Sequence, residues 1–223
     1  MSEKTKISRR RFLVLGAGTT VLACGGLGAL GALGTRPPAV EFTESSCGAG
    51  TDTRERVLVA YASQCGSTGE IAEAIGRVLC EAGTVVDVRL VNNVSDLTPY
   101  QAVVVGSAVH SSQWMPEAVE FVKKHRDALS RVTVAYFVAS LTTVADTVET
   151  RRKAVTYLDP VREQVQPVDV GLFAGKLDFG KLPPMYRLIW PLTAGGHVRE
   201  GDYRDWEAIR AWATELRPRL LGV

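Results

Sequence analysis

Residues 57–82, VLVAYASQCGSTGEIAEAIGRVLCEA, decide the fold of this chain. The segment opens with the almost entirely apolar run 57–62, which is typical of a strand buried on both faces of a parallel sheet. After a turn, apolar residues recur at helical spacing, with charged residues between them. These apolar residues are Ile71, Ile75, Val78, Leu79 and Ala82. Ser67 and Glu70 have the spacing of a capping box, which predicts that the helix begins at the turn. The segment therefore predicts a strand, a turn and a helix in direct succession.

The turn between this strand and helix carries the residue types of an anion site. It consists of Ser63, Gln64, Cys65, Gly66, Ser67 and Thr68. Backbone N–H groups and the helix dipole favour an anion at such a position, and hydroxyl groups add further donors. The dinucleotide motif GxGxxG and the triphosphate motif GxxxxGK[ST] are both absent, which argues against those ligands. The turn therefore predicts a phosphate site, with a plain helix cap as the alternative.

This turn resembles the phosphate loop of the flavodoxins, whose usual pattern is Thr/Ser-x-Thr-Gly-x-Thr. Ser63, Gly66 and Thr68 match that pattern, whereas Cys65 stands where the family usually has a hydroxyl. The resemblance implies that the loop binds the phosphate of FMN.

The remainder of the chain continues to alternate between strands and helices. Apolar patterns predict further strands at 84–91, 102–109, 133–140 and 168–174, and helices at 116–125, 147–165 and 205–217. We expect Pro160 to kink or split its helix and Pro218 to end the last one. This pattern of five strands alternating with helices predicts an α/β fold with a doubly wound parallel sheet. The resemblance to the flavodoxins implies a flavodoxin-like, five-stranded sheet of order 2-1-3-4-5 with helices on both faces.

Ligands of such sheets bind outside the carboxyl ends of the strands. The candidate cofactor residues there are Gly106, Ser107, Ala108, His110 and Trp114 after the third strand, and Ser140 and Leu141 after the fourth. Trp114 would stack on the isoalloxazine ring or, alternatively, pack on a neighbouring residue. For His110 we favour a solvated loop histidine over a flavin contact. The sequence identifies no catalytic residue and no spacing typical of metal ligands.

The N-terminal residues 1–34 have the character of an export signal. Residues 8–13, SRRRFL, match the twin-arginine pattern and lead into a Gly-rich apolar segment. The alternative is a basic anchor without a role in translocation. Residues 21–24, VLAC, resemble a lipobox that would leave Cys24 lipidated, while the 23 residues 12–34 have the length of a bilayer span. We therefore expect export by the twin-arginine route to the outer face of the cytoplasmic membrane, the periplasm or the exterior, anchored or released.

Residues 35–55 are predicted to be a linker, and residues 56–223 a flavodoxin-like domain with an insertion at about 176–200. Without residues 1–34, the 26 basic and 24 acidic residues of the chain become 21 and 23, and nothing in this near-neutral remainder indicates nucleic acid.

A straight helix would hold Cys65 and Cys80 about 20 Å apart, so they should not form a disulfide. Cys47, Cys65 and Cys80 form an odd set that leaves at least one thiol unpaired. For Cys80 we favour a helix residue without a redox role.

Several further motifs resemble the flavodoxin-like, menaquinone-dependent protoporphyrinogen IX dehydrogenase family. They are Gly106-Ser107-Ala108, EFVKKH at 120–125, AGKL at 174–177, the insertion residues 186–192, Gly195-Gly196 and Asp205-Trp206. The resemblance implies an FMN enzyme that passes electrons from a small-molecule substrate to a quinone. Residues 178–181, DFGK, are less aromatic than that family's insertion, and the export signal is a further departure.

The segment 181–192, KLPPMYRLIWPL, would contact the membrane or frame a quinone pocket, or else pack on the domain's own surface. The alternative function is an exported flavodoxin-type electron carrier for a protein partner. Carriers of that kind tend to be strongly acidic, and the near-neutral domain does not favour this alternative.

Overall fold

The strand and helix that open the domain lie as the sequence predicts. The computed structural model describes residues 40–48, 55–182, 187–188, 190–192 and 198–222. Strand β2, Arg56–Ala62, buries every residue after Arg56, as expected of a strand covered on both faces. Helix α1, Ser67–Glu81, follows after a short turn and buries its apolar stripe against the sheet. The twin-arginine and lipobox patterns at 1–34 lie outside the described residues.

The other elements alternate along the chain in the predicted manner. The strands are β1 Ser45–Cys47, β3 Val85–Leu90, β4 Ala102–His110, β5 Gln113–Trp114, β6 Thr133–Ser140, β7 Asp169–Ala174, β8 Lys176–Leu177 and β9 Gly201–Asp202. The helices are α2 Pro116–Lys124, α3 Arg126–Leu129, α4 Val148–Thr156, α5 Asp159–Arg162 and α6 Trp206–Leu221. Short 3₁₀ turns lie at Val91–Asn93, Thr142–Val144, Phe179–Lys181 and Trp190–Leu192.

The central sheet has the order β3-β2-β4-β6-β7, with all of these strands parallel. This is the order 2-1-3-4-5 of the five predicted strands, so the predicted topology is confirmed. Strand β1 adds to the edge of β3 in antiparallel orientation, and β5 folds back on β4. Because β1 lies within the range 35–55 that we predicted as a linker, that part of the range belongs to the sheet. Strands β8 and β9 pair at the base of the insertion.

Apolar clusters cover both faces of the sheet. Alternate residues of β2 belong to opposite clusters, with Tyr61 on the side of α1 and α6 and Leu58 on the side of α2, α4 and α5. The period-two alternation of a strand gives each helical layer its own set of core residues. Within the described part of the chain, no helix has the length and apolar character needed to cross a bilayer.

Three predictions about helix ends have different outcomes. The predicted capping box is wrong: the N-cap of α1 is Gly66, with φ 86°, and no side chain of the described residues caps the helix. The split at Pro160 is confirmed, since α4 ends at Thr156 and Pro160 lies in the first turn of α5. The predicted stop at Pro218 is wrong, because α6 continues to Leu221. Leu216 and Leu220 are buried on either side of this proline, and we attribute the continued helix to their packing, which offsets the hydrogen bond lost at the proline.

A disulfide joins Cys47 of β1 to Cys80 in the last turn of α1, with the two Cα atoms 6.2 Å apart. Cys65 is a free thiol. As predicted, Cys65 and Cys80 do not pair. Our interpretation of Cys80 as simply a helix residue is wrong, because β1 places Cys47 beside it and the two form a disulfide.

Candidate cofactor site

The predicted phosphate loop joins the carboxyl end of β2 to the first turn of α1. The N–H of Gly66 donates to Ser63 Oγ at 3.0 Å, and the Gly66 carbonyl accepts from the N–H of Gly69 at 2.9 Å. The positive φ of Gly66 is a backbone conformation that favours glycine. A Cβ at this position would lie 3.2 Å from Val40 Cγ1. The loop is therefore a tight turn that leads directly into the helix N-terminus.

Thr68 shows that the loop suits an anion. Its side chain is fully buried, and its Oγ1 has no hydrogen-bond partner among the described residues. A buried hydroxyl without a partner costs about 1–3 kcal/mol. A phosphate oxygen would give this hydroxyl a partner at the positive end of the helix dipole. The residues present therefore fit the phosphate of FMN.

Lys181 also lies at this loop, although the loop motif gives no indication of it. Its ammonium is 3.7 Å from the position that a Gly66 Cβ would occupy. The thiol of Cys65 donates to the Lys181 carbonyl oxygen at 3.8 Å, across 116 positions of sequence. Burial raises the pKa of the Cys65 thiol, while the charge of Lys181 lowers it and that of Asp178 raises it. Because burial dominates and the pKa is raised, Cys65 is a neutral thiol near pH 7.

The segment before β1 also packs against the loop. A Cβ built on Gly66 would lie next to the Val40 side chain and the Glu41 carbonyl oxygen. The hydroxyl of Tyr61, at the end of β2, donates to the Thr43 carbonyl at 2.8 Å. Burial raises the pKa of Tyr61 to about 12, so this hydroxyl keeps its proton. Residues that we assigned to the linker thus support the candidate site.

The carboxyl end of β4 is built around Gly106 and Ser107. A Cβ on Gly106 would lie 1.9 Å from Phe137 Cζ, so this position accommodates no side chain without rearrangement. The buried Ser107 Oγ donates to the Ala108 carbonyl at 2.7 Å and accepts the Met115 N–H at 2.9 Å. These bonds shape the β4–β5 hairpin, whose two-residue turn has positive φ values at Ser111 and Ser112.

Two predicted site residues belong to this hairpin. Trp114 is buried, with 3% of its surface exposed, and packs edge-to-face on Tyr136 at 5.4 Å between ring centroids. This burial favours the alternative in which Trp114 packs on a neighbour, because β5 turns the ring into the core. His110 is exposed at the end of β4.

Ser140 and Leu141 follow β6 at the same edge. Ser140 is buried, and its Oγ lies 3.5 Å from Thr143 Oγ1. Its carbonyl accepts the Gly175 N–H at 3.1 Å. Leu141 is half-buried. Since β2, β4 and β6 are adjacent parallel strands, the structure brings all three predicted loops to one edge of the sheet.

Arg204 is a further residue at the site that the sequence reasoning missed. Its side chain is 3% exposed and pairs with Glu70 at 2.8 Å and Asp202 at 2.6 Å. It also donates to the Ser67 carbonyl at 3.3 Å and lies over the Trp206 ring at 4.4 Å. Burial lowers the pKa of this guanidinium, but its bonds to both carboxylates outweigh that effect and raise it. Arg204 therefore connects β9 to the first turn of α1.

Comparison with known proteins identifies the class of protein. Residues 58–195 match the family described as the flavodoxin domain. This match covers more than half of the chain, and the chain belongs to the flavodoxin family. The family confirms the first resemblance seen in the sequence and supports FMN as the cofactor.

The individual matches are more distant. The protoporphyrinogen IX dehydrogenase [quinone] of Leishmania major is 26% identical over 185 residues, which cover 75% of this chain and 77% of that protein. The oxidised flavodoxin 2 of Bacillus cereus is 19% identical with a TM-score of 0.48, covering 74% of this chain and 99% of its own. A Fusobacterium nucleatum flavodoxin bound to flavin mononucleotide is 15% identical with a TM-score of 0.46, covering 74% and 97%.

Proposed function

We propose that this chain is an exported FMN-dependent oxidoreductase that passes electrons from a small-molecule substrate to a quinone. The observation that carries the proposal is the contact between the insertion and the cofactor loop. Lys181 contacts the loop at Cys65, and the same insertion carries Leu188 and Leu192, which are 80% and 88% exposed. An apolar surface is thus attached directly to the loop that suits the FMN phosphate.

Residues 63–68 hold the FMN phosphate in this proposal, through the N–H groups of the first helical turn and the hydroxyl of Thr68. The loops after β4 and β6, with Gly106–His110 and Ser140–Leu141, frame the ring. When bound, the flavin supplies the redox chemistry, and the protein provides position and electrostatics.

The phosphate placement is tested by Gly66→Asp, alone and with Thr68→Ala. The new carboxylate would meet the Val40 side chain and repel the phosphate, so we expect purified protein to lose its flavin absorbance. Gly83→Asp is a matched control, because Gly83 also has a positive φ of 94°, while no atom of the described residues lies within 4 Å of its missing Cβ. Unchanged flavin content in the Gly66 variants would place the phosphate elsewhere.

Quinone reduction is supported by the apolar insertion and by the quinone-dependent relative. Replacing the whole segment 181–192 would not separate flavin binding from quinone reduction, because Lys181 touches the phosphate loop. We therefore propose Leu188→Ser with Leu192→Ser. The double variant should retain FMN but lose most of its ability to pass electrons to a menaquinone analogue. Val148→Ser, at an apolar position 75% exposed on α4, is the control.

The assay follows the return of oxidised flavin absorbance after chemical reduction of the protein and mixing with the analogue, so it needs no knowledge of the natural substrate. Reoxidation at the parent rate would show that the exposed leucines have no part in it. A parent protein that passes electrons to a protein acceptor but not to the quinone analogue would favour the electron-carrier alternative.

Export is supported by the Cys47–Cys80 disulfide, because disulfides persist mainly in oxidising compartments. The twin-arginine route carries folded proteins, which allows FMN to be loaded in the cytoplasm first. Arg9→Lys with Arg10→Lys should leave the flavoprotein inside the cell with Cys47 and Cys80 reduced. Lys4→Arg with Lys6→Arg, outside the arginine pair, is the control. Normal export of the arginine-pair variant would contradict the proposed route.

A further inference from the structure

We infer that the ammonium group of Lys181 is the cation that makes this site select a flavin phosphate, an inference that rests on the proposed placement of FMN at residues 63–68. Lys181 lies at the end of a 3₁₀ turn in the insertion, far from the loop in sequence. Its ammonium is 3.7 Å from where a Gly66 Cβ would lie, beside the turn that leads into α1. A phosphate placed at this helix terminus would therefore lie next to the ammonium.

The backbone of Lys181 is held in this place by several independent contacts. Its carbonyl accepts the Cys65 thiol, and its N–H donates to the Asp178 carbonyl at 3.1 Å. The Asp178 side chain accepts the Gly180 N–H at 2.8 Å, which caps the 3₁₀ turn. The lysine therefore needs only a side-chain rotation, and no movement of the insertion, to contact a ligand on the loop.

Of the cations Lys176, Lys181 and Arg204, two already lie beside carboxylates. Arg204 is already paired with Glu70 and Asp202, and Lys176 lies 3.9 Å from Asp178. In the described part of the chain, no ion pair involves Lys181. Its charge is nevertheless felt in the loop, where it acts to lower the pKa of Cys65. A phosphate monoester, with a charge of about −1.5 to −2 near pH 7, would supply the missing counter-charge.

The inference has a specific consequence for ligand choice. A flavin with a phosphate gains a charge-assisted bond to Lys181, whereas riboflavin, which lacks the phosphate, gains nothing from it. Lys181 is half-buried, so the bond is partly screened by water and salt. We therefore expect an effect of about tenfold on the FMN affinity, at the lower end for hydrogen bonds to charged groups.

The experiment titrates the full-length apoprotein with FMN and with riboflavin, following the quenching of flavin fluorescence at low and high salt. Lys181→Gln should raise the FMN dissociation constant about tenfold, leave that of riboflavin unchanged, and reduce the salt dependence of FMN binding. Lys181→Arg should restore most of the FMN affinity, because it keeps the charge. Lys153→Gln, at an exposed lysine on α4, is the matched control and should match the parent.

Four other outcomes would each contradict either the role of Lys181, the phosphate placement or the proposed function. An equal loss of affinity for both flavins would show that Lys181 acts through packing of the insertion and not on the phosphate. Unchanged FMN affinity in Lys181→Gln would show that the loop holds the phosphate without this cation. Parent protein that binds riboflavin as tightly as FMN would overturn the phosphate placement itself, and parent protein that binds neither would overturn the proposed function.

Discussion

The disulfide between Cys47 and Cys80 offers a direct test of how the edge strand β1 is held. The double variant Cys47→Ser with Cys80→Ser removes a cross-link between positions 33 residues apart. The loop-closure entropy of a cross-link of this span corresponds to about 3.5–4 kcal/mol of stability. Both cysteines also pack against the cluster of α1 and α6, so their loss removes some apolar contact as well.

Other contacts hold β1 on the sheet when the disulfide is absent, so the double variant should lose stability but remain folded. The strand keeps its antiparallel ladder with β3, and Arg89 still donates to the Ser45 carbonyl at 2.6 Å. For a domain of this size, a loss of 3.5–4 kcal/mol corresponds to a fall in melting temperature of roughly 7–15 °C. We expect the double variant to fold, with a lower urea midpoint than the parent.

The assay compares urea unfolding of the parent, the double variant and Cys65→Ser, each with and without a reductant. Reductant should lower the parent and Cys65→Ser to the stability of the double variant, and should leave the double variant itself unchanged. Cys65→Ser controls for the loss of a cysteine that forms no disulfide. If the oxidised parent and the double variant unfold at the same urea midpoint, the disulfide does not stabilise the folded chain.

Two further predictions concern buried positions. Burial raises the pKa of Asp87, but hydrogen bonds from Ser46, Arg56 and Tyr100 outweigh this effect and lower the pKa overall. The stability that the Asp87 carboxylate contributes is therefore complete above the usual Asp pKa of about 3.9. It is lost as the pH falls through the lower pKa of the folded state. Asp87→Asn should lower the free energy of unfolding by about 2–3 kcal/mol at neutral pH and flatten the pH dependence of the urea midpoint below about pH 4. An unchanged pH dependence in the variant would contradict this prediction. Gly106→Ala places a Cβ against the Phe137 ring and should lower the free energy of unfolding by roughly 1–3 kcal/mol, measured by urea unfolding. Adding Phe137→Leu to this variant should recover part of the lost stability. Parent-like stability of Gly106→Ala alone would refute the steric overlap.

The sequence alone was sufficient for those features whose evidence is local. The apolar run 57–62 predicts a doubly covered strand because each of its residues needs a buried face, whichever segments provide the cover. The spacing of Ile71, Ile75 and Leu79 predicts the buried stripe of α1 for the same reason. The phosphate loop is contiguous in sequence, so its residues could be assembled without knowing the fold. The strand order followed from the alternation of elements together with the family resemblance.

Local patterns were misleading where a polar side chain had a choice of partners. Ser67 and Glu70 have capping-box spacing, but Arg204 pairs with the Glu70 carboxylate and donates a hydrogen bond to the Ser67 carbonyl. Sequence spacing indicates which residues can meet within one helix, and it gives no information about a cation from a distant loop such as that of Arg204. For Trp114 the sequence left flavin stacking and packing on a neighbour both open, and the β4–β5 hairpin turns its ring inward.

The tertiary structure alone determined which distant segments cover the site. Cys47 reaches Cys80 because β1 pairs with β3 beside α1, and Lys181 reaches Gly66 because the insertion returns to the first helical turn. Hydrophobic periodicity indicates which face of a helix or strand is buried, but it does not indicate which segment packs against that face. Contacts between residues far apart in the chain depend on the closure of the whole sheet, so a single sequence leaves them open until the fold is known.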